Sequence, residues 1–106
     1  MHTLIWEFHV KADCVAEFER AYGPEGAWVQ FLRKGKGYLE TELLKKDDGV
    51  YVTIDRWESR EAYASFSEQH KAKYAELDRR CESLTVSEQL IGAFVDVTWK
   101  DSGRHS

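Results

Sequence analysis

Polar and apolar positions alternate with two different periods along this chain. Residues 3–11 (TLIWEFHVK) place Leu4, Trp6, Phe8 and Val10 on one side, and Thr3, Glu7, His9 and Lys11 on the other together with Ile5. A period of two is that of a half-buried strand. Asp13 then reads as a helix N-cap, and Val15, Phe18 and Tyr22 follow as one apolar helical stripe. Gly23-Pro24-Glu25-Gly26 interrupts it. Pro24 suits the first turn of a second short helix, on which Trp28, Phe31 and Leu32 share a side. Lys34-Gly35-Lys36-Gly37 reads as a loop.

Tyr38 to Lys46 alternates again, with Leu39, Thr41 and Leu43 opposed to Glu40 and Glu42. Asp47-Asp48-Gly49 has the chemistry of a tight hairpin turn, where glycine supplies the positive φ. Val50 to Trp57 returns, carrying Val50, Val52 and Ile54 on one face and Tyr51, Thr53, Asp55 and Trp57 on the other. Ser59 caps the next helix; the reciprocal Glu or Gln of a capping box is absent, since Ala62 stands three residues on. Tyr63, Phe66, His70, Tyr74, Leu77 and Cys81 then form one helical stripe, with a bend expected near Ser67. Thr85 with Glu88 predicts a last short capped turn. Ile91, Ala93, Val95, Val97 and Trp99 predict a fourth strand, and 100–106 reads as a polar tail.

The order β-α-β-β-α-β predicts a ferredoxin-like α+β fold for residues 1–99, an antiparallel sheet with helices on one face. Trp6 and Phe8 occupy one sheet face, while Ile5, with Tyr51 and Trp57, is available to the other. An apolar patch of that kind is rarely left in water, so two subunits are expected to pack sheet to sheet as a homodimer.

Composition narrows the function classes. A formal net charge of −4 provides no concentrated positive field for a nucleic-acid partner. Cys14 and Cys81 lack metal-type or redox-type spacing and read as free thiols, as expected in a cytoplasmic setting. There is neither a basic, apolar leader nor an apolar run of bilayer length, so no membrane partner is expected. Aromatic residues make up 13% of the chain, enough to fill a core or to line a ligand site.

No P-loop, GxGxxG, HExxH or paired-cysteine zinc spacing is present, and neither a metal nor a cofactor is expected. His70, alone among the histidines, sits within an aromatic stripe, where it is a candidate for proton transfer. Against this stands the commoner role of a core histidine hydrogen-bonded to a tyrosine or a carbonyl. Asp55 lies on a central strand, where a carboxylate must be paired or solvated in a cavity. A salt bridge across the dimer interface is the expectation for it, with Arg56 pointing the opposite way.

The runs GPEGAWVQFLRKGKGYLETELL, YVTIDRWESREAYASFSEQHKAKYAELDRRCESLT and IGAFVDV resemble the antibiotic biosynthesis monooxygenase family of small dimeric α+β barrels. The RWES step at Arg56–Ser59 and the aromatic helix after it carry the resemblance most specifically. It implies cofactor-independent oxygenation of an aromatic, enolisable or quinol-type small molecule, whose carbanion reacts directly with dioxygen. His70 would be the base in an apolar site of Trp6, Phe8, Trp28, Phe31, Tyr63, Phe66 and Tyr74. Haem-degrading relatives use an Asn on the first strand and a Trp and a His on the second long helix. Trp6, Phe66 and Glu76 stand at or near those positions, which argues against that branch. A non-catalytic barrel that binds a small apolar ligand is the alternative. An isomerase acting on a phosphorylated or keto substrate would need a cationic site, which the apolar stripe does not offer.

Overall fold

The computed structural model describes residues 1–98. Trp99, expected to end the last strand, and the polar tail at 100–106 lie outside these residues. Strand β1 (His2–Val10) leads through a 3₁₀ turn (Ala12–Cys14) into α1 (Val15–Tyr22) and α2 (Ala27–Leu32). The hairpin strands β2 (Tyr38–Asp47) and β3 (Val50–Trp57) follow, then α3 (Arg60–Gln69) and α4 (Lys71–Cys81). A second 3₁₀ turn (Glu82–Leu84) delivers the chain into β4 (Thr85–Val95). The four strands form one antiparallel sheet in the order β2-β3-β1-β4. This is the ferredoxin-like α+β arrangement, with each helical crossover split in two.

Register decides which side chains meet. Phe8 pairs with Tyr51, Trp6 with Thr53, Leu4 with Asp55 and His2 with Trp57. The even positions of β1 therefore share a face with the odd positions of β3, and that face carries the helices. Tyr51 and Trp57, expected on the open face, are instead core residues at 1% and 0% exposure. Alternation within a strand gives two faces but not which of them meets the helices; only the pairing register does. Phe18, Tyr22, Phe31, Phe66 and Leu77 pack down onto them from the helices. Burying each such side chain stabilises the fold by about 1.5–3 kcal/mol.

Gly49 (φ +78°) closes the β2–β3 hairpin as its turn chemistry requires. Gly35 lies so close to Trp57 and Phe66 that a Cβ there would stand 2.7 Å from both rings. Ser59 accepts the Ala62 N–H at 3.0 Å, the expected N-cap of α3.

Other local expectations are corrected. Asp13 sits inside the 3₁₀ turn, and α1 starts after Cys14 without a side-chain cap. Pro24 stands in the turn before α2 rather than in its first turn. The helical break falls at His70 (φ −118°, ψ 28°), three residues beyond Ser67. Thr85 opens β4 instead of capping a turn, because its extended backbone joins the sheet opposite Val10. Bulges shift the alternation: Leu39 is passed over in the β2–β3 pairing, and Ile91 in the β1–β4 pairing.

The sheet's other face is uncovered. It presents Ile5, Val52 and Ile54 half-buried, with Leu44 and Phe94 exposed at 47% and 45%. Arg56 also lies there, ion-paired with Glu40, Glu42 and Asp96. No helix among the described residues is long and apolar enough to cross a membrane.

Candidate functional site

Between the sheet and the helices the packing is incomplete and leaves an open-mouthed cavity of about 90 Å³. Its floor comes from the strands: Trp6 and Phe8 of β1, Thr41 of β2, Thr53 and Asp55 of β3. Tyr22 of α1, Trp28 and Leu32 of α2, and Tyr74 of α4 form the roof. Asp78 of α4 and Glu88 of β4, both exposed, complete the rim. The aromatic walls brace one another, with Trp28 edge-on to Tyr74 (5.4 Å) and stacked near Tyr22 (5.9 Å).

Asp55 is the polar centre of this space. The register sets it between Leu4 and Thr41, on the helix side of the sheet. The Thr41 hydroxyl donates to Asp55 Oδ1 at 2.7 Å. That commits the only Thr41 hydroxyl proton, so the Tyr38 hydroxyl, 2.7 Å away, donates to Thr41 Oγ1 in turn. The second carboxylate oxygen of Asp55 has no hydrogen-bond partner among the described residues. Burial lifts the Asp55 carboxyl from its ordinary 3.8 to about 6, against the opposing pull of the Thr41 hydrogen bond. Its position overturns the expected salt bridge across an interface, since Asp55 faces the helices and not the open face. Arg56 does point the opposite way.

The neighbouring hydroxyls sense the same environment. Burial first, then the Cys81, Glu88 and Asp78 groups, push the Tyr22 hydroxyl up. Tyr74 is likewise raised by burial, then by Tyr63, Asp55 and Asp78. Glu88 is itself raised by burial and by the negative charges of Asp78 and Glu82. The indole N–H of Trp28 is buried beside the Tyr22 hydroxyl and the Cys81 thiol, without a hydrogen bond of normal geometry.

Of the residues singled out in the sequence, Trp6, Phe8, Trp28 and Tyr74 come together around the cavity. Phe31 and Phe66 are buried core residues at 4% and 2% exposure. Tyr63 packs edge-on to Trp57 at 5.6 Å. His70 does not line the cavity; its ring lies 4.7 Å from Phe66 and 5.9 Å from Phe31. Tyr22, Thr41, Thr53, Asp78 and Glu88 are further members that sequence reasoning missed. The alternation that put Thr53 and Asp55 on one strand face was the trace of them in the sequence. Among the described residues no three His, Cys, Asp or Glu side chains converge closely enough to hold a metal ion.

Residues 1–75 match the family model for antibiotic biosynthesis monooxygenases. The chain belongs to that family. No functionally curated protein is significantly similar to it in sequence. Among solved structures, SnoaB from Streptomyces nogalater, described as a cofactor-independent oxygenase, superposes with TM-score 0.68 at 18% identity, over 92% of this chain and 94% of that one. The ActVA-Orf6 monooxygenase of Streptomyces coelicolor, solved with nanaomycin D, gives 0.73 at 20% identity, covering 92% and 88%. Rv0793 from Mycobacterium tuberculosis gives 0.71 at 16%, covering 92% and 96%. At these identities the structural likeness establishes the fold, and family membership rests on the sequence match.

Proposed function

We propose that this member of the antibiotic biosynthesis monooxygenase family is a cofactor-independent oxygenase acting on an aromatic, enolisable or quinol-type small molecule. One ring of the substrate enters the cavity and Asp55 accepts its proton. The observation that carries this reading is a half-buried carboxylate with one free oxygen, facing aromatic walls and holding a proton affinity near neutrality. A base works best when its pKa lies close to the working pH. Thr41 and Tyr38 orient the carboxylate without neutralising it.

For a CH₂ centre the chemistry balances simply. Asp55 takes one proton, the carbanion adds to dioxygen, and the resulting peroxide is protonated by Asp55. Cleavage of the O–O bond then gives a ketone and water, so one oxygen atom enters the product and the other leaves reduced. His70, the base expected from the sequence, is the rival within this reading, although it packs against Phe66 and Phe31 rather than lining the cavity.

Oxygen uptake across a panel of anthrones and quinols tests the proposal. Asp55→Asn is expected to lower turnover about 10²- to 10⁴-fold, the usual contribution of a general base, and His70→Ala to leave it within a few-fold. The opposite pattern would move the base to His70. The size of the cavity favours a second, non-catalytic reading. About 90 Å³ is less than the roughly 150 Å³ in which an engineered protein cavity holds benzene. A small-ligand binding barrel predicts no uptake above the uncatalysed rate for any panel member.

A further inference from the structure

Among the described residues, the cavity is lined by carboxylates from rim to floor and by no Lys or Arg. Asp78 and Glu88 are exposed at the mouth and Asp55 is half-buried within. These three acids come from α4, β4 and β3, so three separate elements aim negative charge at one space. Trp6, Trp28 and Tyr74 line the same space. An aromatic enclosure bearing carboxylates is the chemistry that recognises an organic cation: the ring quadrupoles attract positive charge, and the carboxylates supply counter-charge without a metal. The same arrangement opposes an anion, which would meet three carboxylates and, among the described residues, no cationic side chain on the cavity wall.

We infer that the ligand of this cavity is an aromatic compound bearing a protonated amine, its ring held by Trp6, Trp28 and Tyr74 and its ammonium directed to the carboxylates of Asp78 and Glu88 at the mouth. The inference rests on the proposed reading of the cavity as the substrate site and names the substrate's charge class. Burial is the first cause that raises the proton affinity of Tyr22, Tyr74 and Glu88, and Asp78 adds to it at all three.

Isothermal titration of the full chain, without oxygen, with three catechols of matched shape tests this. The probes are 3,4-dihydroxyphenethylamine (cation), 3,4-dihydroxyphenylethanol (neutral) and 3,4-dihydroxyphenylacetate (anion). The amine is expected to bind at least ten-fold more tightly than the alcohol, with the carboxylate weakest, and the preference should shrink as salt is raised. The double variant Asp78→Asn with Glu88→Gln, both at exposed positions, is expected to bring the amine within about three-fold of the alcohol. Equal binding of amine and alcohol, tighter binding of the anion, no binding of any probe, or a preference that survives in the double variant would each overturn the inference. Failure of the oxygenase reading looks different: the charge preference holds, yet neither the amine nor the anthrone and quinol panel drives oxygen uptake.

Discussion

Asp55 shows how a single position can be legible in kind and misread in place. Its presence on a central strand was visible in the sequence, as was the requirement that such a carboxylate be partnered or solvated by a cavity. What decided between an interface salt bridge and a cavity was the face it occupies, which depends on pairing with Leu4 and Thr41 rather than on its neighbours in the chain. Trp57 was misplaced for the same reason: read as available to the open face, it is a core residue at 0% exposure. Asp55 also has an energetic consequence. Its folded-state value of about 6 lies above the ordinary 3.8, so its contribution to stability is fully present below pH 4 and is lost as pH rises through about 6. At pH 7–8 the ionised carboxylate costs up to about 3 kcal/mol. Asp55→Asn keeps an acceptor for Thr41 and removes that cost. Thermal unfolding is expected to show the variant more stable than the parent at pH 8 and near-equal at pH 4. A variant less stable at pH 8 would mean that the carboxylate is solvated in place. A stabilising substitution that removes activity is the trade-off expected of an active-site group.

At the scale of elements, the strands and helices were readable because period and turn chemistry agree. Val50–Trp57 was bounded correctly by Gly49 on one side and by Ser59 two residues beyond the other. Features that break the period were hidden. The bulges at Leu39 and Ile91 insert one residue each, so a strict alternation through them assigns the wrong face to one end of the strand. The aromatic stripe from Tyr63 to Cys81 was visible as one helix, but His70 leaves helical geometry and divides it into α3 and α4. That break explains why His70 and Tyr74, neighbours on the expected stripe, part company: Tyr74 reaches the cavity, whereas His70 stays with Phe66 and Phe31. A continuous stripe had joined Tyr74, a wall residue, to His70, which is half-buried against Phe66 and Phe31 outside the cavity lining.

For the whole molecule, the sheet's open face and the cavity behind it are the two consequential surfaces. The apolar row of Leu44, Val52, Ile54, Ile5 and Phe94 fits the expected sheet-to-sheet pairing of two subunits, although Tyr51 and Trp57 take no part in it. Light scattering after size exclusion is expected to give twice the chain mass for the parent and the single-chain mass for Leu44→Glu combined with Phe94→Asp. A parent that elutes as a monomer would remove the dimer from the account. The cavity, in turn, belongs to no single element: β1, β2, β3, β4, α1, α2 and α4 each supply a wall residue. Trp6, Phe8, Trp28 and Tyr74 were singled out from the sequence, but the rest of its lining depends on the topology that assembles it. If Asp55 is the proton acceptor in that cavity, its ionisation governs the pH dependence of kcat/KM for oxygen uptake. With a substrate that does not titrate in the range, kcat/KM is expected to fall as pH drops through about 6. The inflection should disappear in Asp55→Asn and persist in His70→Ala. An inflection that survives in Asp55→Asn and vanishes in His70→Ala would contradict the account.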